Sequence, residues 1–269
     1  MRKKLKSQWS MICVLLTLGI TVSGCFSARL GEEPPQEIKI AFIGNSYTFV
    51  NDLPEILANL AKEGGHDLQV DQFAEGGWTL EMHAASKKAL KLIRQEPWDY
   101  VVLQEQSMIP SSPLEREQSM YPAVRKLNSE IKNVGADTIL FLTWGHREGM
   151  SQSGYRSYSD MQTEITKGYL EIANEVNLIV APVGEAWQRA IEQGAQFDLW
   201  LQDGSHPSLA GSYLAACVFY ATVFQESPEG LAYLAGLDEK VGHQLQSIAA
   251  ETVFGDLERW NIKWKVPTD

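Results

Sequence analysis

From residue 38 onward, short apolar runs alternate with longer stretches in which apolar residues recur every three or four positions. The run "IKIAFI" (38–43) predicts a first strand, and Leu53, Ile56, Leu57 and Leu60 behind it fall at helical spacing. After the Gly64-Gly65 stop, "DLQVDQF" (67–73) predicts a second strand. A helix is expected from Thr79 to about Arg94, with Thr79 as its cap. "DYVVLQ" (99–104) predicts a third strand, and 114–134 a helix that must tolerate or bend at Pro122. "ADTILFLTW" (136–144) is almost wholly apolar, as a strand buried on both faces requires. A helix at 157–176, a strand at 177–183 and a short helix at 184–193 follow, and helices at 208–225 and 237–252 complete the pattern. Strand and helix alternate throughout, which predicts an α/β fold with a mainly parallel five-stranded sheet covered by helices on both faces.

The first 24 residues stand outside this pattern. Arg2, Lys3, Lys4 and Lys6 precede an apolar core, Met11–Val22, shorter than the ~20 residues a comfortable membrane span needs. The core ends in Val22-Ser23-Gly24-Cys25, which resembles a bacterial lipobox. That resemblance implies cleavage before Cys25, lipidation of Cys25, and a protein anchored in the bacterial cell envelope on the extracytoplasmic side. An ordinary secretory signal and an uncleaved anchor are the alternatives. The polar, proline-bearing stretch 25–36 reads as a tether, which leaves 37–269 as the folded domain, long enough for one sizeable core. The leader carries four basic and no acidic residues, so the formal −11 becomes about −15 after its removal. Such a balance argues against nucleic acid and against electrostatic binding to anionic lipid. Once Cys13 and Cys25 are set aside, Cys217 is the remaining cysteine, expected as a small core residue.

Chemistry in parallel sheets collects at the carboxyl ends of the strands. Five groups fall there: Ser46 after strand one, Gly76-Gly77 after strand two, Gln104 to Ser107 after strand three, Trp144-Gly145-His146 after strand four, and Asp203 with His206 in "LQDGSHPSLAG". Together they offer a nucleophile, backbone N–H groups, amides, a carboxylate and an imidazole, the components of acyl transfer.

In order and spacing, Gly44-Asn45-Ser46, Gly76-Gly77 and Asp203-x-x-His206 resemble the SGNH (GDSL-type) serine hydrolase superfamily. The resemblance implies a three-layer α/β/α sandwich, esterase or lipase activity, and no cofactor. It also implies Ser46 as nucleophile, His206 as general base and acid, and Asp203 as the group that orients the imidazole. The oxyanion hole would draw on the Ser46 N–H, on Gly76 or Gly77, and on an amide after strand three, with Gln104 preferred to Gln106. Two departures mark a divergent branch: Asn45 replaces the usual Asp before the serine, and "LQEQSM" replaces the usual Gly-x-Asn block.

Other residues at this edge have plainer readings beside functional ones. Asn45, Trp78, Trp144 and His146 are expected as substrate-binding candidates, with Trp200 as a further ring able to stack on a sugar. A polar surface loop for His146, and core or cleft wall for the tryptophans, are the competing readings. His66, His83 and His243 show no metal-ligand spacing, so no metal is expected. The sequence therefore points to a surface-tethered serine esterase acting on short acyl esters, O-acetyl groups on carbohydrate foremost, or on a small acylated molecule. A short-chain lipid esterase or thioesterase is an alternative, as is a non-catalytic glycan-binding lipoprotein on the same fold. A flavodoxin-like nucleotide binder fits poorly, because the first loop lacks a glycine-rich phosphate cradle.

Overall fold

In the computed structural model, which describes residues 37–263, the run at 38–43 forms strand β1 (Ile38–Gly44), buried from Ile40 onward. The predicted leader (1–24) and the tether with Cys25 (25–36) lie outside the described residues. The order continues α1 (Ser46–Phe49), α2 (Leu53–Glu63), β2 (Leu68–Ala74), α3 (Leu80–Ala85), α4 (Lys87–Gln95) and β3 (Tyr100–Leu103). Then come α5 (Pro113–Glu115), α6 (Tyr121–Asn133), β4 (Asp137–Phe141), α7 (Tyr158–Val176), β5 (Ile179–Ala181), α8 (Val183–Glu192), α9 (Leu209–Phe224) and α10 (Glu239–Phe254).

The five strands pair in parallel in the order β2-β1-β3-β4-β5. Helices α2, α9 and α10 pack together on one side, and α3, α4, α6 and α7 form the other layer. The expected α/β/α sandwich is therefore the observed fold. Strand β2 lies at the sheet edge, and its exposed Gln69 and Asp71 alternate with half-buried Leu68 and Val70. Central β3 and β4 are buried after their first residues, which is why they read as unbroken apolar runs. Helix α9 is buried along Ala210–Phe224, because the sheet covers one side and α2 and α10 the others. Its Phe219 takes Phe42 of β1 and Phe141 of β4 edge-on, with ring centroids 5.5 and 5.0 Å away. Cys217 lies in this core, where burial pushes its thiol pKa up, as expected of a packed residue and not a reactive one.

Two helices depart from the sequence expectation. The helix expected over 79–94 is two, because Ser86 ends α3 in an extended conformation and caps α4 through its hydroxyl, which accepts from Ala89 N at 3.3 Å. The helix expected over 114–134 accommodates Pro122 without a break. Arg116–Met120 winds as a wider π turn, in which Tyr121 N–H bonds the Arg116 carbonyl, and Pro122 enters in the first turn of α6. A wide turn relieves the clash between the proline ring and the carbonyl four residues back.

Strand order reverses between β1 and β3: the chain leaves β1 for one neighbour and returns for the other. The crevice beyond the carboxyl ends of these two strands is the place where such sheets hold ligands. Ser46 follows β1 directly, and Gln104–Ser107 follow β3.

Candidate active site

The Ser46 turn is set by its neighbours. Asn45 has an extended backbone and caps α1, its Oδ1 accepting from Tyr47 N at 3.1 Å. Ser46 is thus the first residue of a helix, where N–H groups have no intrahelical acceptor and face outward. Gly44 is required just before it: a Cβ there would lie 2.4 Å from Thr48 Oγ1 and 2.6 Å from Gln104 Oε1.

The opposing loop is also locally determined. Trp200 and Pro207 form an antiparallel bridge, and Leu201 N donates to His206 O at 2.8 Å. The reversal passes through Gly204 at φ +68°, a left-handed conformation that favours glycine. Asp203 Oδ1 accepts from the backbone N–H of both Ser205 and His206, each at 2.9 Å. The loop is fastened from outside by Trp144 Nε1, which donates to Ser205 O at 3.0 Å, and by Arg147 N, which donates to Gly204 O at 2.8 Å.

These two loops bring Ser46, His206 and Asp203 into one line. His206 Nδ1 lies 2.6 Å from Asp203 Oδ2, and His206 Nε2 lies 2.9 Å from Ser46 Oγ. With Nδ1–H donating to the carboxylate, Nε2 is left to accept the serine proton, the tautomer a general base requires. Partial desolvation opposes ionisation of Asp203. The N–H of Ser205, the His206 ring and the N–H of His206 outweigh it and hold the carboxyl down to about 2. The His206 and Asp203 side chains are 37% and 49% exposed, so the line opens onto solvent.

A second polar row runs beside it. Tyr47 OH pairs with Ser205 Oγ at 2.7 Å, and Ser205 Oγ with His146 Nε2 at 3.2 Å. His146 Nε2 also reaches Ser107 Oγ at 3.4 Å, which accepts from Gln106 Nε2 at 3.3 Å. Burial lowers the His146 pKa and His206 adds to this, with Asp203 opposing, so the half-buried ring is a neutral hydrogen-bonding group at neutral pH. Burial likewise pushes Tyr47 up to about 12.

Several expected site residues have other work. Gln104, the preferred side-chain oxyanion donor, is fully buried, and both its Oε1 and its Nε2 are bonded within the loops. Its Oε1 accepts from Asn45 N and Thr48 Oγ1, and its Nε2 donates to Glu105 O. Gln106, on the same loop, is half-buried and thus the more accessible amide, with its Oε1 accepting from Met108 N and its Nε2 donating to Ser107 Oγ. Asn45 is not a substrate contact: it is 3% exposed and its Nδ2 donates to Trp78 O. Trp144 is not a cleft wall either, because it is fully buried between Tyr47 and Trp187 in parallel stacks at 4.4 and 4.0 Å. Trp200 is 8% exposed and closes edge-on against Trp187 and Tyr158.

Gly76 and Gly77 lie in an exposed turn closed by Trp78 N donating to Glu75 O, and a Cβ on either would meet open space. Half-buried Trp78 packs its ring on Phe73 and His83. Sequence reasoning gave no role to Tyr47 or Ser205, although each adjoins a triad candidate. Among the described residues no group of three or more His, Cys, Asp or Glu side chains gathers around a metal position.

Comparison with known proteins agrees with this fold. A DUF4886 family protein from Bacteroides uniformis superposes with a TM-score of 0.68 at 21% identity, over 81% of this chain and 95% of that one. A Slackia heliotrinireducens protein assigned by inference to the SGNH hydrolases gives 0.59 at 29% identity, over 70% and 99%. Axe2, an acetylxylan esterase from Geobacillus stearothermophilus, gives 0.53 at 19% identity, over 70% and 94%. No curated protein matches the sequence. Residues 87–252 match the family described as "Domain of unknown function (DUF4886)". With that match spanning more than half of its length, the chain belongs to the DUF4886 family, and it is built on the SGNH-hydrolase fold.

Proposed function

We propose that this protein is a serine ester hydrolase that removes short acyl groups, acetyl foremost, from carbohydrate. The observation that carries the reading is the continuous hydrogen-bonded line Ser46–His206–Asp203 at the carboxyl edge of the sheet. Ser46 Oγ attacks the ester carbonyl while His206 Nε2 takes its proton. The tetrahedral intermediate expels the alkoxide, which leaves as the alcohol with the proton from His206. Water, deprotonated by the same ring, then attacks the acyl-serine, releases the carboxylic acid and restores Ser46. The negative oxygen in both steps faces the Ser46 N–H at the start of α1, the Gly76–Gly77 turn and the Gln106 amide.

A carbohydrate alcohol is favoured by half-buried His146 and Ser205, whose neutral imidazole and hydroxyl suit hydroxyl-rich partners better than alkyl chains. The similarity to an acetylxylan esterase supports the same substrate class. On this reading Cys25 carries the lipid that holds the domain at the envelope, and Cys25→Ala abolishes incorporation of a labelled fatty acid. Undiminished labelling of that variant rules the anchor out.

Hydrolysis of p-nitrophenyl acetate and of an acetylated xylooligosaccharide by wild type and Ser46→Ala tests the central reading. Activity absent from wild type, or equal in the variant, overturns it and favours a non-catalytic glycan binder. His146→Ala separates the sugar contact from the chemistry. Loss of one or two hydrogen bonds raises KM for the oligosaccharide roughly three- to tenfold, with kcat/KM for p-nitrophenyl acetate unchanged. An equal loss on both substrates assigns His146 to the chemistry instead.

A further inference from the structure

Three loops converge behind Ser46, and each is tied to another by one buried polar side chain. Asn45, on the loop after β1, reaches the loop after β2 by donating from Nδ2 to Trp78 O at 2.9 Å. Gln104, after β3, reaches back to the first loop, its Oε1 accepting from Asn45 N at 2.8 Å and Thr48 Oγ1 at 3.0 Å. Glu105 closes the triangle. Its Oε1 accepts from Leu80 N, just beyond the Gly76–Gly77 turn, at 3.1 Å, and from Gln106 N at 2.6 Å. Two of these ties are amides and stay neutral at every pH. The third is a carboxyl.

Glu105 is completely buried, and its Oε2 has no hydrogen-bond partner. A carboxylate in that position would leave charge on an oxygen that nothing solvates, which costs several kcal/mol. Burial accordingly pushes its pKa up to about 7 against the pull of the Gln106 and Leu80 N–H groups. The titratable groups facing it are Glu81 on α3, Glu115 on α5 and Tyr169 on α7, and both glutamates favour the protonated form. The group is therefore neutral below about pH 7, and its carbonyl oxygen orients two N–H groups without adding charge.

We propose that Glu105 is a positioning residue for ester hydrolysis: its neutral carboxyl braces the Gly76–Gly77 loop against the Gln106 loop, so that both present their donors to the oxyanion at Ser46. This rests on the serine-hydrolase reading above. Ionisation would put a negative charge on the carboxyl that ties these two loops, in the same site in which the transition state develops a second one. Like charges repel, so the ionised brace opposes the transition state it otherwise supports.

The test is steady-state hydrolysis of p-nitrophenyl acetate from about pH 6 to about pH 8.5 by wild type, E105Q and E105A. Thermal unfolding confirms each fold, and S46A sets the background. E105Q retains the acceptor and the neutrality, so near pH 6 its kcat stays within about threefold of wild type. Above about pH 7 the ratio of E105Q to wild-type kcat rises, towards a limiting slope of roughly tenfold per pH unit. E105A strands the buried Leu80 N–H and the part-buried Gln106 N–H and loosens both loops, which lowers kcat roughly 10- to 100-fold at nearly unchanged KM. Parallel pH profiles for E105Q and wild type, or full kcat in E105A, overturn the proposal. Should E105A fail to fold, the E105Q ratio decides alone. Wild-type turnover no faster than S46A overturns the hydrolase reading, and the brace falls with it for that separate reason.

Discussion

Alanine at Ser46 or at His206 lowers kcat for p-nitrophenyl acetate by roughly a millionfold, and the double variant is no worse than either single one. The equality follows from the geometry. Ser46 Oγ and His206 Nε2 are the two ends of one 2.9 Å hydrogen bond, so removing either deletes the same step. Asp203 behaves differently. Its side chain is about half exposed, and solvent screens its charge as the imidazolium forms. Two of its bonds go to the backbone of its own loop, so much of its work is to shape the turn. Asp203→Asn retains that acceptor but turns an amide N–H₂ towards His206 Nδ1. The ring then takes the opposite tautomer, with its proton on Nε2, and can no longer accept from Ser46. A loss of roughly 10⁴ in kcat is expected, with KM nearly unchanged. Because the Asp203 pKa lies at about 2, its titration leaves no trace in the pH–rate profile near neutrality. Its folded value is depressed, so its contribution to stability is present above about pH 4 and is lost as pH falls towards 2. Comparable activity in Ser46→Ala and wild type, or no loss in Asp203→Asn, contradicts this account.

Much of this site was legible in the sequence because its parts are local. The Asp203–His206 offset lies in one tight turn with a glycine at its reversal, and Ser46 sits immediately beyond a strand whose apolar pattern is unmistakable. Long-range commitments were not legible. Gln104 and Gln106 differ by two positions on one polar loop, and only the packing shows that the first is spent on Asn45 and Thr48, residues far away in the chain. Asn45 looked available for the same reason, although its amide is consumed by Trp78 O. The split at Ser86 has a local cause, a hydroxyl able to cap the following turn, but an internal serine also fits a continuous helix. Pro122 marked the right place for trouble in its helix without revealing that a wide turn would absorb it. Period and turn chemistry are written locally, whereas the partner of a buried polar group depends on which loops the sheet order brings together.

Trp144 gives the second large effect, and it separates a core residue from a sugar platform. The indole is fully buried, with Tyr47 on one face and Trp187 on the other, and its Nε1 holds the Ser205 carbonyl. Trp144→Ala therefore removes a large buried side chain between two rings, which costs about 3–5 kcal/mol of stability. It also releases the Asp203–His206 loop and the Tyr47 ring at once, so kcat falls beyond what destabilisation explains. Trp144→Phe distinguishes these contributions. Most of the stacked area survives, while the Ser205 carbonyl loses its donor, so stability drops by about 1–2 kcal/mol. In the Phe variant kcat is lowered more than KM is raised, because the loop bearing His206 has lost one of its outside fastenings. Urea unfolding midpoints and p-nitrophenyl acetate kinetics measure both quantities on the same samples. A Trp144→Ala protein of unchanged midpoint, with KM raised for the oligosaccharide alone, would return the indole to the substrate-binding surface. The two buried stacks predict the opposite: a large loss of stability, with kcat impaired on every ester.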